Sequence, residues 1–163
     1  MKPRLSLKGR GLQILAQREH SRSELRRKLM THARKPAGAD EPPVDEDTAA
    51  GQVEAVLDWL EANRYLSEER FAESRVHARA ARYGNLRIRQ ELAQHGVALS
   101  DDTARRLKDS EAERARDVWA RKYREPPRDA AERARQMRFL AARGFSAEAI
   151  RHALRATADD EQP

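Results

Sequence analysis

Arg75, Arg79 and Arg82 stand at positions i, i+4 and i+7. On an α-helix that spacing gathers them into one stripe. Arg87 and Arg89 follow, and no acidic residue occurs between Glu73 and Glu91. Like charges this close repel one another, so the cluster points to an anionic partner, either phosphates or acidic side chains. A solvated helix face is the alternative reading, with equal weight. Arg22, Arg26, Arg27 and the adjacent Arg121 and Lys122 form secondary basic candidates.

Catalytic and metal chemistry find no comparable pattern. The histidines are His20, His32, His77, His95 and His152, and none stands in HExxH or another metal-ligand spacing. Phosphate-binding glycine loops and a GxSxG nucleophile turn are missing too. The chain has no cysteine, which excludes disulfides, thiolate zinc sites and a cysteine nucleophile. The carboxylates lie among arginines at helical spacing, where pairing along a helix accounts for them. The expectation is a binding protein that is not an enzyme and uses no cofactor and no metal.

The elements that must carry these side chains are helices. Alternating β-branched runs are absent, while Ala, Arg, Glu and Leu abound. Three similar stretches, 24–32, 87–95 and 136–143, each centre on a leucine: Leu29, Leu92 and Leu140. The interval from Leu29 to Leu92 is the longer of the two, and it contains a Pro-rich acidic stretch, 36–50. With that stretch set aside the two intervals are equal, and a fixed period of this kind marks a tandem array. The fold class expected is all-α, an elongated curved array of three three-helix repeats. Repeat one covers 1–63 with a disordered acidic insert at 36–50, repeat two 64–109 and repeat three 110–157. A disordered tail is expected over 158–163.

Nine helices follow from the start and stop signals: 5–19, 22–33 and 51–63, then 67–82, 86–95 and 101–109, then 111–124, 129–143 and 147–157. Ser21 and Glu24 read as a capping box, the serine accepting from the Glu24 N–H and the carboxylate reaching back. Ser67 caps the next unit, with Leu66 and Phe71 as an apolar staple, and Phe145, Ser146 and Ile150 repeat the arrangement. Gly96 and Gly144 sit where a left-handed residue ends a helix. Ala112, Ala115, Trp119 and Tyr123 form an apolar stripe that reads as core, with Arg114 away from it.

Charge and hydropathy agree with a binding surface. The chain is 163 residues long, 37% charged, with mean hydropathy −0.95 and net charge +6. Residues 1–35 carry 11 bases against Glu19 and Glu24. A basic body of this kind favours a polyanion or an acidic protein surface. No apolar run approaches the ~20 residues of a membrane span, and a cytoplasmic location is expected.

Several motifs occur in order along the chain. They are Arg18-x-x-Ser21-x-x-Glu24-Leu25-x-x-Lys28-Leu29, then 65–72 (YLSEERFA), then Arg79, Gly84, Ile88-x-x-Glu91-Leu92 and Gly96-Val97. Phe139-Leu140-x-x-Arg143-Gly144-Phe145-Ser146 completes the set. Together they resemble the RecX family, bacterial regulators of the RecA recombinase. The resemblance implies tandem three-helix repeats and a non-enzymatic role in DNA repair, homologous recombination and the SOS response. It implies binding to the RecA–single-stranded DNA filament along its groove, with suppression of ATP hydrolysis, strand exchange or filament extension. The partners expected are RecA, its filament and, weakly and without sequence preference, DNA, with the protein a monomer. A helix-turn-helix DNA-binding protein and a helical scaffold for an acidic protein are the alternative readings.

Overall fold

The computed structural model describes residues 3–159, with side chains up to residue 155. The described residues form eight α-helices and no strand. They divide into two compact units. One runs up to Phe71 and includes His95–Val97, and the other comprises Ala72–Gln94 and the chain from Ala98 onward.

The first unit contains α1 (Leu7–Leu15), α2 (Arg22–Ala33) and α3 (Glu46–Ala62). Leu25, Leu29 and Ala33 of α2 recur every four residues and bury against Ala49, Val53, Leu57 and Leu60 of α3, with Leu66 completing the cluster. The caps explain where these helices start. The Ser21 hydroxyl accepts from the Glu24 N–H at 3.2 Å, as expected. The Glu24 carboxylate is engaged by Arg18 instead of reaching back, one contact being 3.2 Å. Ser6 caps α1 by accepting from the Gly9 N–H at 3.0 Å, so that helix begins later than expected, at Leu7.

The acidic stretch needs a correction. Asp45 caps α3 through the Thr48 N–H at 2.9 Å, and Glu46 and Asp47 occupy the first turn. Negative charge there complements the positive end of the helix dipole. The end of the expected insert, from Glu46 onward, is therefore helical, and Ala49 is buried.

His20, between α1 and α2, is 1% exposed. Its Nδ1 lies 2.9 Å from the Arg18 carbonyl, which can only accept, so Nδ1 carries the proton. Nε2 then accepts from Lys28 Nζ at 2.9 Å. Burial holds the His20 pKa below its ordinary value; Arg18 and Lys28 act in the same sense, against the Arg18 carbonyl and Glu24. His32 is shifted the same way, by burial and by Arg10, Lys35 and Arg4. A histidine held neutral when folded destabilises the fold once the unfolded chain takes up protons. Stability should thus be level above about pH 6.5 and fall as pH drops below it. Thermal melts from pH 7.5 to 5 should show this fall, and His20→Gln should flatten it in part, leaving the His32 share. A pH slope unchanged by the substitution would refute the assignment.

The second unit holds α5 (Asn85–Gln94), α6 (Asp101–Lys122), α7 (Ala130–Ala142) and α8 (Ala147–Asp159). Helix α4 (Glu68–Arg79) begins in the first unit and continues into the second. The expected helices 101–109 and 111–124 are one helix of 22 residues. No glycine or proline interrupts it, and Leu107, Glu111, Ala115, Val118 and Trp119 give it a continuous buried face. It runs straight through the expected boundary at 109/110. Its face packs with Leu140, Phe145, Ala149, Ile150, Ala153 and Leu154. The anchors Leu29, Leu92 and Leu140 are all buried. Residues 158 and 159, assigned to the tail, close α8, and 160–163 lie outside the described residues.

A cation–aromatic ladder as candidate nucleic-acid interface

The stripe expected of Arg75, Arg79 and Arg82 is not formed. Helix α4 ends at Arg79, and Arg82 lies in the following turn, its N–H donating to the Arg79 carbonyl at 3.0 Å. Arg79 Nε is 3.0 Å and Arg75 Nη1 3.6 Å from the Glu91 carboxylate of α5. The sequence shows no acid nearby because the neutralising one arrives from the next helix. The Glu91 contact also raises the Arg79 pKa above its ordinary value.

Two of the candidates in the first unit are likewise neutralised. Arg22 reaches Glu54 at 2.7 Å, Asp58 at 2.8 Å and Glu61 at 2.8 Å, and Arg26 reaches Glu54 at 2.9 Å. Partial burial works against the Arg22 charge, and the three carboxylates outweigh it, so its pKa rises. Arg27 remains exposed.

What is left in the second unit is an alternation of cations and rings. The Arg87 guanidinium carbon lies 4.2 Å from the centre of the Tyr83 ring. Arg143 lies 5.6 Å from Tyr83 and 5.4 Å from Phe139, and so bridges the two. Lys122 Nζ is 4.2 Å from Phe139 and 5.7 Å from Tyr123. Tyr123 meets Phe139 edge-on at 5.6 Å and Trp119 at 6.4 Å. Cation–π contacts of this kind occur about once in 70–80 residues, so their concentration here marks this surface. Arg87, Lys122 and Arg143 form no ion pair among the described residues. Their charge is available to an outside anion.

A buried polar framework sets the ladder in place. Arg114 of α6 uses all five of its N–H donors. It donates to the carbonyls of Ala80 (3.1 Å), Tyr83 (3.0 Å) and Leu107 (3.0 Å), to Ser110 Oγ (3.0 Å) and to Asn85 Oδ1. Burial pushes its pKa below the ordinary value, with Glu111 opposing. This ends α4 and fixes the turn that carries Tyr83. Glu111, also buried, accepts from the Asn85 N–H (3.1 Å), the Ser146 N–H (3.1 Å) and the Ser146 hydroxyl (2.8 Å). The Gly84 N–H donates to the Arg143 carbonyl at 2.8 Å, and the Leu86 N–H to the Gly144 carbonyl at 3.1 Å. Segments 83–87 and 143–146 therefore lie backbone against backbone, and that contact sets Arg87 beside Tyr83 and Arg143.

Of the sequence candidates, the structure brings Arg87 and Lys122 into the ladder. Arg121 parts from Lys122 and lines a groove with Val76, Ala80 and Asp117, while Arg82 and Arg89 stay exposed. Tyr83, Phe139 and Arg143 were not singled out as site residues. A usable signal was present in the aromatic next to an arginine at 82–83 and again at 138–139. Among the described residues no cluster of ligands could hold a metal ion, and no helix is long and apolar enough to cross a membrane.

Fold and site together define an all-helical protein with a basic, ring-lined surface. Sequence comparison gives the lineage. The profile for the RecX second three-helix domain matches residues 67–101, and that for the third matches 109–154. Proteins named Regulatory protein RecX are similar over nearly their whole length. The one from Leptothrix cholodnii is 49% identical over 94% of this chain and 90% of its own. That from Herbaspirillum seropedicae is 49% identical over 99% and 98%, and that from Ralstonia nicotianae 52% over 87% and 82%. The chain belongs to the RecX family.

Proposed function

We propose that this protein regulates RecA by binding the RecA–single-stranded DNA filament and suppressing its ATP hydrolysis, strand exchange or extension. The observation that carries this reading is the ladder: three cations without carboxylate partners, held against aromatic rings on a rigid frame. Family membership supports RecA as the target. The cations suit the phosphates of the strand or acidic groups of the filament, and the rings exclude water from those contacts. Arg82, Arg89, Arg121 and Arg27 are proposed as outlying contacts of the same electrostatic kind. Arg22, Arg26, Arg75 and Arg79 hold the fold together through internal pairs. Binding as a cytoplasmic monomer, with weak and non-sequence-specific affinity for bare DNA, completes the proposal.

The test is the triple variant Arg87→Gln, Lys122→Gln, Arg143→Gln. The lost ring contacts are exposed or half-exposed, worth about 0.5–1 kcal/mol each, so the fold should survive. Inhibition of RecA ATP hydrolysis should weaken, and the slope of filament affinity against salt should flatten by roughly two if all three cations meet phosphates of the single strand. Unchanged inhibition and slope would overturn the reading. Sequence preference on bare duplex would favour a helix-turn-helix role instead, and equal affinity for RecA without DNA a protein scaffold.

A further inference from the structure

The first unit carries a second aromatic feature, independent of the ladder. Tyr65, 50% exposed, is one of the few large apolar side chains on the surface. Its ring stacks on Trp59 with centres 5.7 Å apart and planes 21° from parallel. Lys8 Nζ lies 4.0 Å from the centre of the same Trp59 ring. From this step we propose that Tyr65 is a stacking platform for an unpaired nucleobase of single-stranded nucleic acid, with Lys8 and Arg64 placed for the flanking phosphates.

The backbone beneath the ring is unusually constrained. Arg64 adopts φ +62°, the only positive φ at a non-glycine among the described residues. It closes α3, with the Tyr65 and Leu66 N–H groups both donating to the Leu60 carbonyl at 2.9 and 3.1 Å. Glycine is the residue that fits this position without strain. Here the residue is arginine, next in sequence to Tyr65, and such strain collects where a side chain has a task. Arg70 then clamps the turn. Its Nη2 donates to the carbonyls of Arg64 (2.8 Å) and Tyr65 (3.2 Å), while its Nε is held by Glu19 at 2.9 Å. A ring fixed in this way loses little entropy when a ligand stacks on it.

Charge selects the ligand. Lys8 and Arg64 have no carboxylate partner among the described residues, whereas the nearby acids Asp58 and Glu61 are held by Arg22. A half-exposed ring stacked on a tryptophan that carries a free lysine suits a base with its phosphates, since every base offers a flat face. Duplex bases are already stacked and out of reach, so the strand must be single. The inference rests on the proposed function only in taking a single strand as its ligand.

The test uses the full chain and two strands of about 15 nucleotides, within the range one binding module covers: oligo(dT), and an abasic strand with the same number of phosphates. Anisotropy of a dye on the strand end reports binding of either strand, and intrinsic fluorescence reports stacking, because one of the two tryptophans is Trp59 under the platform and the other, Trp119, is buried. The wild type should favour oligo(dT) over the abasic strand and show quenching with oligo(dT) alone. Tyr65→Leu keeps apolar contact with Trp59 but offers no flat face. It should lose affinity for oligo(dT) by roughly 5- to 100-fold and leave abasic binding unchanged. Tyr65→Phe should behave as wild type. The inference fails if Tyr65→Leu binds oligo(dT) like wild type, if it weakens both strands equally, or if the wild type binds neither strand. It also fails if Tyr65→Leu loses affinity for RecA in the absence of DNA, which would make the platform a protein contact. The RecA assay on the ladder variant is read separately, so failure here leaves that reading to its own result.

Discussion

Gly84→Ala is expected to destabilise the second unit by more than about 3 kcal/mol, the upper end of the overpacking range. A Cβ built on Gly84 would lie 2.2 Å from the Phe145 nitrogen and 2.3 Å from the carbonyl carbon and oxygen of Gly144. These are backbone atoms with no rotamer to yield. The Gly84–Arg143 and Leu86–Gly144 hydrogen bonds would have to part. That contact aligns Tyr83 and Arg87 with Arg143, so the proposed inhibition of RecA should be lost with stability. Gly144→Ala should act similarly, since Gly144 has φ +88° and its Cβ would meet Arg87 Cβ at 2.5 Å. Gly51→Ala is the control. It lies inside α3 with nothing within 4 Å of the added carbon and should stabilise by about 0.5–1 kcal/mol through helix propensity. Denaturant melts of the three variants decide the matter. A Gly84→Ala protein as stable as wild type would mean that the two backbones are not in contact.

Glu111→Ala should be nearly as severe. The carboxylate of Glu111 accepts three hydrogen bonds, from the N–H groups at the starts of α5 and of the α8 cap and from the Ser146 hydroxyl. Hydrogen bonds to a buried charged group are worth about 1.5–3 kcal/mol each, and donors left unsatisfied cost more. The expected loss is on the order of 3–5 kcal/mol, comparable to breaking a buried ion pair. Glu111→Gln keeps one acceptor oxygen and should cost roughly half of that. Hydrogen exchange should show faster opening at Asn85 and Ser146 before the rest of the unit. Equal protection at these two amides in Glu111→Ala and wild type would contradict the role assigned to Glu111.

The contrast between Leu92 and Arg79 shows how far reading the chain alone can reach. Leu92, Leu29 and Leu140 were legible as buried anchors because apolar periodicity is a property of neighbours along one helix, and burial follows wherever that helix packs. The caps at Ser21, Ser67 and Ser146 were legible for the same reason, each needing only a residue three positions away. So were the helical class and the family. The charged surface was not. Arg79 looks free because no acid stands between Glu73 and Glu91, yet a turn brings Glu91 itself to it. Arg22 is answered by three carboxylates that all belong to α3. The ladder draws Tyr83 and Arg87 together with Lys122, Phe139 and Arg143, which lie far along the chain. Helices and their buried faces arise from hydrogen bonds and spacing within about four residues. Whether a charge is spent on the fold or left for a partner depends on groups that meet only once helices have packed: α3 against α2 for Arg22, Glu91 of α5 against α4 for Arg79, and segments 83–87 against 143–146 for the ladder.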